Sequence, residues 1–527
     1  MKILALVACA ATLASAAGPV TEQTLRAAQK DAATWLTYGK NYSGWRYSEL
    51  DQVHAGNVAR LQPQWIYQTG IFGKFETTPI IHDGLMFVTA PSNYAFALDL
   101  ATGRPIWRYA KPLPRGVSIC CGQVNRGFAM LGDKLYKVNL EATLVALDPK
   151  TGVEVWESQI DDIKKGYSAT VAPLAVKNKI VLGIAGAEFG VRGFLDAFDA
   201  ETGKRAWRFW TVAGPGEPGG DTWGGDSWKR GGGSTWITGT YDPELNLIYW
   251  GTGNPGPDFD GDVRPGDNLY TCSIVALDAD TGKLKWHYQF TPHDVHDWDS
   301  TSDPVLIDYQ HNGRMVKAVV MANRNGYYYA LERATGKLLV AKAYTKVTWS
   351  DGIGPNGRPI LISGQDPTET GNRSCPGIGG GHNWQATSYS PQTGLYYFPT
   401  TDGCQLYFKT HQEFVEGLWY QASTTQGLPT EPTMGSIVAL APSTGEVRWR
   451  YELVSPPTSG LLTTSGGLVF GGDREGYLFA LDARTGKVLW KFQTGGMVIA
   501  PPISYSFRGK QYIAVAAGSA MFTFALP

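Results

Sequence analysis

Hydrophobic positions along this chain fall in short runs broken by glycine, proline and asparagine. Outside Thr21 to Leu36, where a helix is expected, no stretch repeats them at the 3.6-residue spacing of an amphipathic helix. A different pattern recurs instead, Ala-x-Asp-x-x-Thr-Gly-x-x-x-Trp. Complete copies run from Ala97 to Trp107, Ala146 to Trp156, Ala197 to Trp207, Ala276 to Trp286 and Ala480 to Trp490. Two degenerate copies, Ala330 to Val340 and Ala439 to Trp449, keep the frame. The pattern predicts a β-hairpin: a strand ends at the acidic residue, glycine takes the positive φ of a tight turn, and a second strand carries the tryptophan outward. Trp65, after Asn57 to Leu61, has the place of an eighth strand end without the turn signature.

The eight positions are separated by 42, 49, 51, 79, 54, 109 and 41 residues. A strand-only period of ~40–50 residues is that of propeller blades, each a four-stranded sheet around a central axis. The reading is therefore an all-β, eight-bladed propeller with tryptophan-bearing repeats, 17–527 forming a single domain. A solenoid fits less well, because these repeats vary and carry insertions. The surplus length of the 79- and 109-residue intervals lies in stretches rich in glycine and proline, 214–233 and 352–381. Insertions of that kind usually carry function on one face of a ring.

Composition agrees. The 64 glycines among 527 residues are about 12%, against a usual ~7%, and 18 Trp, 26 Tyr and 20 Phe stand beside 31 Pro. With 46 Lys+Arg against 47 Asp+Glu, the chain lacks the basic surplus of an electrostatic nucleic-acid binder. An apolar share of 43% excludes global disorder. The apolar run Ile3 to Leu13 is too short for a bilayer, which needs ~20 residues. Behind Met1-Lys2 and ahead of Ala14-Ser15-Ala16, it reads as a signal peptide, 1–16, cleaved near Ala16. A lipoprotein acylation box at Leu6 to Cys9 is the second reading. Export permits disulfides, and the five cysteines left after cleavage leave at least one without an intramolecular partner.

Adjacent cysteines have Cα atoms ~3.8 Å apart, below the usual ~4.4 Å minimum for a disulfide. Cys120-Cys121 is thus either two unrelated thiols or a strained ring kept for a purpose. Its context bears on the choice: the run Cys120 to Gly127 closely resembles the signature of pyrroloquinoline quinone (PQQ) dependent alcohol and methanol dehydrogenases. Further segments resemble that family in the same order, namely 186–193, 231–236, 251–255, 264–268, 291–294, 466–470 and 509–512. Any one of these motifs is weak; the ordered set covers nearly the whole mature chain and is highly specific.

The resemblance implies a periplasmic enzyme that oxidises a primary alcohol to an aldehyde by metal-assisted hydride transfer to PQQ. That cofactor is a flat tricyclic o-quinone with three carboxylates. Trp236 matches its stacking floor, and a bonded Cys120–Cys121 pair would form the opposite wall. Arg126 and Ser234 match contacts to the carboxylates, and Arg324 an arginine that approaches the quinone oxygens. Glu76, Gly186, Ala187 and Asn383 fall on further cofactor contacts. Glu188, Asn254 and Asp297 match the metal ligands, all offering oxygen as a hard cation requires. The metal would act as a Lewis acid, with Asp297 as the general base for the alcohol proton and Arg324 beside it as the second catalytic residue.

Asp299 bears on the metal. Calcium-type members usually carry a small neutral residue there, whereas lanthanide-dependent relatives carry aspartate, so La³⁺ or Ce³⁺ is expected over Ca²⁺. Cys375 and Cys404 resemble a disulfide-closed loop of the family, which leaves Cys272 free. Some positions depart from the pattern. Val138 stands for a pocket threonine and Ala185 for a serine, each removing a hydrogen bond to the cofactor, while Ser459 and Met521 occupy neighbourhoods where the family often has tryptophan. His293 and His296 with Asp294 and Asp297 suggest a transition-metal site, but four residues of one irregular loop converge poorly on one ion.

No Cys-x-x-Cys-His motif occurs, so no c-type haem is fused; the expected electron acceptor is a separate soluble cytochrome c. No nucleic-acid partner is expected, and a homodimer is left open. Two other functions compete. One is a non-catalytic propeller scaffold, which has no physical need of the cysteine pair, Glu188, Asn254 or Asp297. The other is a PQQ-dependent sugar or polyol dehydrogenase, since the long insertions carry no readable specificity.

Overall fold

Each recurrence of the tryptophan pattern folds as a hairpin in which its alanine and tryptophan face each other. The cross-strand partners are Ala97–Trp107, Ala146–Trp156, Ala197–Trp207, Ala276–Trp286, Ala330–Val340, Ala439–Trp449 and Ala480–Trp490. In the first turn Asp99 Oδ1 accepts from the Thr102 backbone N–H at 2.9 Å and from its hydroxyl at 2.7 Å, and Gly103 takes φ +70°. Glycine is demanded by space as well as by φ: a Cβ on Gly152 would stand 2.6 Å from the Trp107 ring, and one on Gly103 2.5 Å from Trp65. The indoles also donate onward, Trp107 to the Pro149 carbonyl at 2.8 Å and Trp65 to the Leu100 carbonyl at 3.0 Å. Trp207, Trp286 and Trp449 repeat the bond to the next turn. The Thr-Gly turn and the tryptophan are therefore coupled between blades, these five indoles each fastening a blade to the following one, while the Trp156 indole packs on Gly203 without a hydrogen-bond partner.

The structure is a computed structural model that describes residues 18–527, so the expected signal peptide, 1–16, and the Leu6 to Cys9 box lie outside the described residues. Eight blades form, each a four-stranded antiparallel sheet, at 80–109, 129–159, 174–210, 240–289, 305–343, 388–453, 462–493 and 503–525. The eighth has only three consecutive strands, and its outermost strand is Gln62–Gln68 from the other end of the chain, paired to Ala520–Ala525. That closure explains Trp65: its strand closes the ring and follows no turn of its own blade. Tyr47–Ser48 adds a short parallel strand to the innermost strand of the seventh blade. The long interval before Trp449 folds into two small sheets, one of which holds the Cys375–Cys404 disulfide at its base.

The helix expected over Thr21 to Leu36 is only Glu22–Arg26, with Thr21 and Thr24 forming a capping box, followed by a single 3₁₀ turn, Ala28–Lys30. It stops because Trp35, fully buried, exchanges backbone hydrogen bonds with Ile81 of the first blade, which requires extended chain. Among the described residues no helix is long and apolar enough to cross a membrane.

One core residue sets a pH dependence. Lys137, on the second strand of the second blade, is fully buried, donates to Asn139 and lies 5.0 Å from the Tyr109 ring centre. Burial lowers its pKa to about 7. The unfolded chain keeps that proton to pH ~10.4, so the group costs stability fully below pH 7, and the cost is relieved as pH rises towards 10. Lys137→Met should raise the melting temperature at pH 6, with the gain shrinking by pH 9. A gain independent of pH in thermal melts would refute this.

Candidate active site

In a four-stranded antiparallel blade, the chain reaching the innermost strand and the connection between the second and third strands emerge at the same end. Both kinds of connection supply the site. Glu76, Arg126, Thr170, Ser234 with Trp236, Asp297 with Asp299, and Asn383 with Trp384 lie just ahead of the innermost strands of the first six blades in turn. Glu188, Asn254 and Arg324 come from the second-to-third connections of the third, fourth and fifth. All but Asn254 line one cavity of about 220 Å³, together with Lys74, Cys120, Cys121, Val124, Ala185 and Gly186. The Thr-Gly turns occupy the opposite face.

Charges inside the cavity are tightly arranged. Arg324 donates to Asp299 Oδ2 at 2.9 Å and to Asp297 Oδ2 at 3.4 Å. Asp299 also accepts the Trp236 indole N–H at 3.0 Å and the Asn254 backbone N–H at 2.7 Å, so one carboxylate braces the indole, the arginine and the neighbouring loop. Arg126 Nη2 is 2.7 Å from Glu76 Oε2, and its guanidinium carbon lies 4.8 Å from the Trp236 ring centre and 5.9 Å from that of Trp384. Its Nη1 donates to Thr170 Oγ1 at 2.8 Å. Lys74 donates to the Cys121 carbonyl at 2.7 Å, holding the cysteine loop over the cavity.

Burial pushes these carboxyls up. Glu188 rises to about 7, with the Asp299 charge adding to burial. Asp297 rises well above the usual carboxylate range through burial and the charges of Asp258, Asp299 and Glu188, against which Arg324 works. Burial disfavours the Arg324 cation too, but Asp297 and Asp299 more than offset it. Two carboxyls paired on one guanidinium, with Glu188 on the same wall, are a poor arrangement for stability alone, and an ordinary one for a cation site or for proton transfer.

The disulfides are Cys120–Cys121 and Cys375–Cys404, with Cys272 free and buried, as the resemblance implied. Asn254 stands behind the cavity wall, its amide donating to Asp258 Oδ1 at 2.8 Å, and Ala187 is fully buried and lines no part of the cavity. Val138 lies on a blade strand and is fully buried away from the cavity. The threonine at the cavity is Thr170, so the loss of a hydroxyl expected there is corrected, whereas Ala185 does line the wall. Ser459 and Met521 stay outside it, and the additional indole comes from Trp384. The histidines are engaged elsewhere: His293 bonds the Gly266 carbonyl, and His296 bonds the Gln365 carbonyl and stacks on Trp298 at 4.2 Å.

These residues bear on both groups that the resemblance implies. A flat acidic ring needs an aromatic face and unspent donors; Trp236 opens onto the cavity, and the Nε of Arg126 and of Arg324 are buried without a partner. For the metal, the donor set is wholly oxygen, as a hard cation prefers. The carboxylates of Glu188, Asp297 and Asp299 are not drawn to a single point, because Arg324 holds the two aspartates. Among the described residues only Cys120, Cys121 and Glu188 bring ligand atoms within 4.8 Å of one another, and the sulfurs there are spent on the disulfide. In chemistry the residues present fit both groups.

Comparison with known proteins places this propeller among the dehydrogenases. Residues 35–356 match the family described as glucose/ethanol/alcohol dehydrogenase, β-propeller domain, and 433–525 match outer membrane protein assembly factor BamB. The chain is 36% identical to the quinoprotein alcohol dehydrogenase PedH of Pseudomonas putida, covering 98% of this chain and 91% of that one. It is 35% identical to the lanthanide-dependent methanol dehydrogenase of Methylorubrum extorquens, covering 98% and 92%. Among solved structures, the quinohemoprotein alcohol dehydrogenase of Comamonas testosteroni superposes with TM-score 0.92 at 37% identity, covering 96% of this chain and 82% of that one. A europium-containing methanol dehydrogenase gives 0.91 at 33%, covering 96% and 100%. The chain belongs to the PQQ-dependent alcohol dehydrogenase family. It is an enzyme, and the scaffold reading falls.

Proposed function

We propose that this quinoprotein oxidises primary alcohols to aldehydes in the periplasm, after cleavage near Ala16, with a lanthanide ion beside its PQQ and a soluble cytochrome c as acceptor. The observation that carries the reading is the pairing of Asp297 and Asp299 on Arg324, at the wall that also holds Trp236 and Glu188. When bound, PQQ would supply the hydride acceptor for the alcohol carbon and the metal would supply Lewis-acid assistance. Glu188, Asn254, Asp297 and Asp299 would hold the metal. Glu76, Arg126, Gly186, Ala187, Ser234, Asn383 and the Cys120–Cys121 ring would hold the cofactor above Trp236.

The Asp297 carboxylate takes the hydroxyl proton. Arg324, 3.4 Å away, opposes the effect of burial and favours the ionised base. Lys74 and Arg126 supply positive charge for an anionic cofactor. The remaining alternative is a sugar or polyol substrate. PQQ-reconstituted protein assayed with a dye acceptor should turn over a panel of primary alcohols. Turnover confined to aldoses and polyols would overturn the substrate assignment.

A further inference from the structure

Asp258 is used by no role described so far. It lies in the connection between the second and third strands of the fourth blade and is fully buried. Its Oδ1 accepts the Asn254 side-chain amide at 2.8 Å, while Oδ2 is buried without a hydrogen-bond partner. No ion pair closes on it among the described residues. Arg264 nearby spends its donors on the carbonyls of Pro257, Asp258 and Asp294 and on Asn268. A carboxylate kept wholly buried without a cation is costly, and a structural role alone would be met by asparagine.

Two observations connect it to the cavity. Asn254 has one amide nitrogen and one amide oxygen; with the nitrogen tied to Asp258, the oxygen is the atom left for a cation. The second is a loop of the sixth blade, 411–422, which closes on the same place. The Tyr420 backbone N–H donates to the Glu188 carbonyl at 2.6 Å, and the Phe259 N–H to the Gln421 carbonyl at 3.2 Å. Gln421 Oε1 accepts the Trp419 indole at 2.7 Å, which leaves its amide nitrogen as the group able to face Asp258. The charge of Glu188 acts on Asp258, and that of Asp258 on Asp297.

We infer that Asp258 is a positioning and specificity-determining residue of the metal site: it orients Asn254 and supplies the fourth carboxylate charge, biasing the site towards a trivalent ion. The inference rests on the metal site of the proposed function. Ionised around a bound cation, Glu188, Asp258, Asp297 and Asp299 would set four negative charges against Arg324, an excess of three. A trivalent cation neutralises that excess and a divalent one does not, while the charges of the cofactor are common to both cases. Because Asp258 touches Asn254 and lines no part of the cavity, its effect is carried by orientation and field, as with other outer partners of metal ligands.

The test is binding of Tb³⁺, read by tryptophan-sensitised luminescence on PQQ-loaded protein, with Ca²⁺ measured by competition. Asp258→Asn keeps shape and the acceptor for Asn254 and removes only the charge. It should weaken Tb³⁺ by roughly tenfold or more and Ca²⁺ distinctly less. Asp258→Ala also frees Asn254 and should weaken both ions. Gln421→Glu, which adds a carboxylate beside Asp258, should move preference the other way, and this arm stands even if the Asp258 variants do not fold. Equal weakening of both ions in Asp258→Asn, no change there, or an unaltered preference in Gln421→Glu overturns the inference. If Glu188→Gln binds Tb³⁺ as the unsubstituted protein does, the metal site itself is misplaced and the proposed function fails with it.

Discussion

Asp297→Asn should lower alcohol oxidation by two orders of magnitude or more, the usual worth of a general base, and leave the fold and bound PQQ intact. The backbone makes asparagine the right probe. Asp297 sits at φ +58°, a left-handed conformation that asparagine tolerates almost as glycine does and alanine does not. The introduced amide would still accept from Arg324 through its oxygen, so the ion pair becomes a hydrogen bond to a neutral group and the cavity wall keeps its shape. Removing a buried carboxylate also removes a desolvation cost, so the melting temperature should hold or rise. Metal content has to be measured beside the rate, because the same side chain is proposed as a ligand. A variant that retains metal and PQQ, binds alcohol and turns over near the original rate would show that the proton leaves by another group.

Much of this architecture is legible because the repeat is a physical contact between blades. Trp107 and Gly152 are conspicuous in the sequence since an indole lies where a Cβ would be, and that packing recurs around the ring. Val340 is legible by frame alone, and Trp65 by spacing without its turn. The helix at Thr21 is shorter than its apolar periodicity suggests, because the periodicity continues past the point where Trp35 pairs with Ile81. Nothing local in the sequence announces that tertiary bridge.

The site divides in the same way. Cys120, Cys121, Glu188, Trp236 and Asp297 stand in recognisable strings. Thr170 and Trp384 do not, although each precedes an innermost strand as Arg126 and Trp236 do; counting back from the blade starts would find them. Asp258 carries no such signal. Its importance lies in what surrounds it, a buried oxygen without a partner and a loop reaching across from the sixth blade.

Stripped of metal and reconstituted with PQQ, the enzyme should be at least about tenfold more active with La³⁺ than with Ca²⁺, since ligand charge count tunes such sites. The argument rests on Asp299. That side chain faces the cavity and does not point away into solvent. It offers a third anionic group beside Glu188 and Asp297, and an ion of calcium-like radius with one more charge gains most from it. Asp299 is also a brace, holding the Trp236 indole, Arg324 and the Asn254 backbone, so its removal has two consequences that need separate arms. Asp299→Asn keeps an acceptor for those donors and loses the charge; it should cut La³⁺-dependent activity and narrow the gap to Ca²⁺. Asp299→Ala should in addition loosen Trp236 and reduce PQQ retention, visible as lower cofactor absorbance after gel filtration. Higher activity with Ca²⁺ than with La³⁺, unaffected by Asp299→Ala, would refute the lanthanide assignment and leave Asp299 as a structural support of the stacking indole.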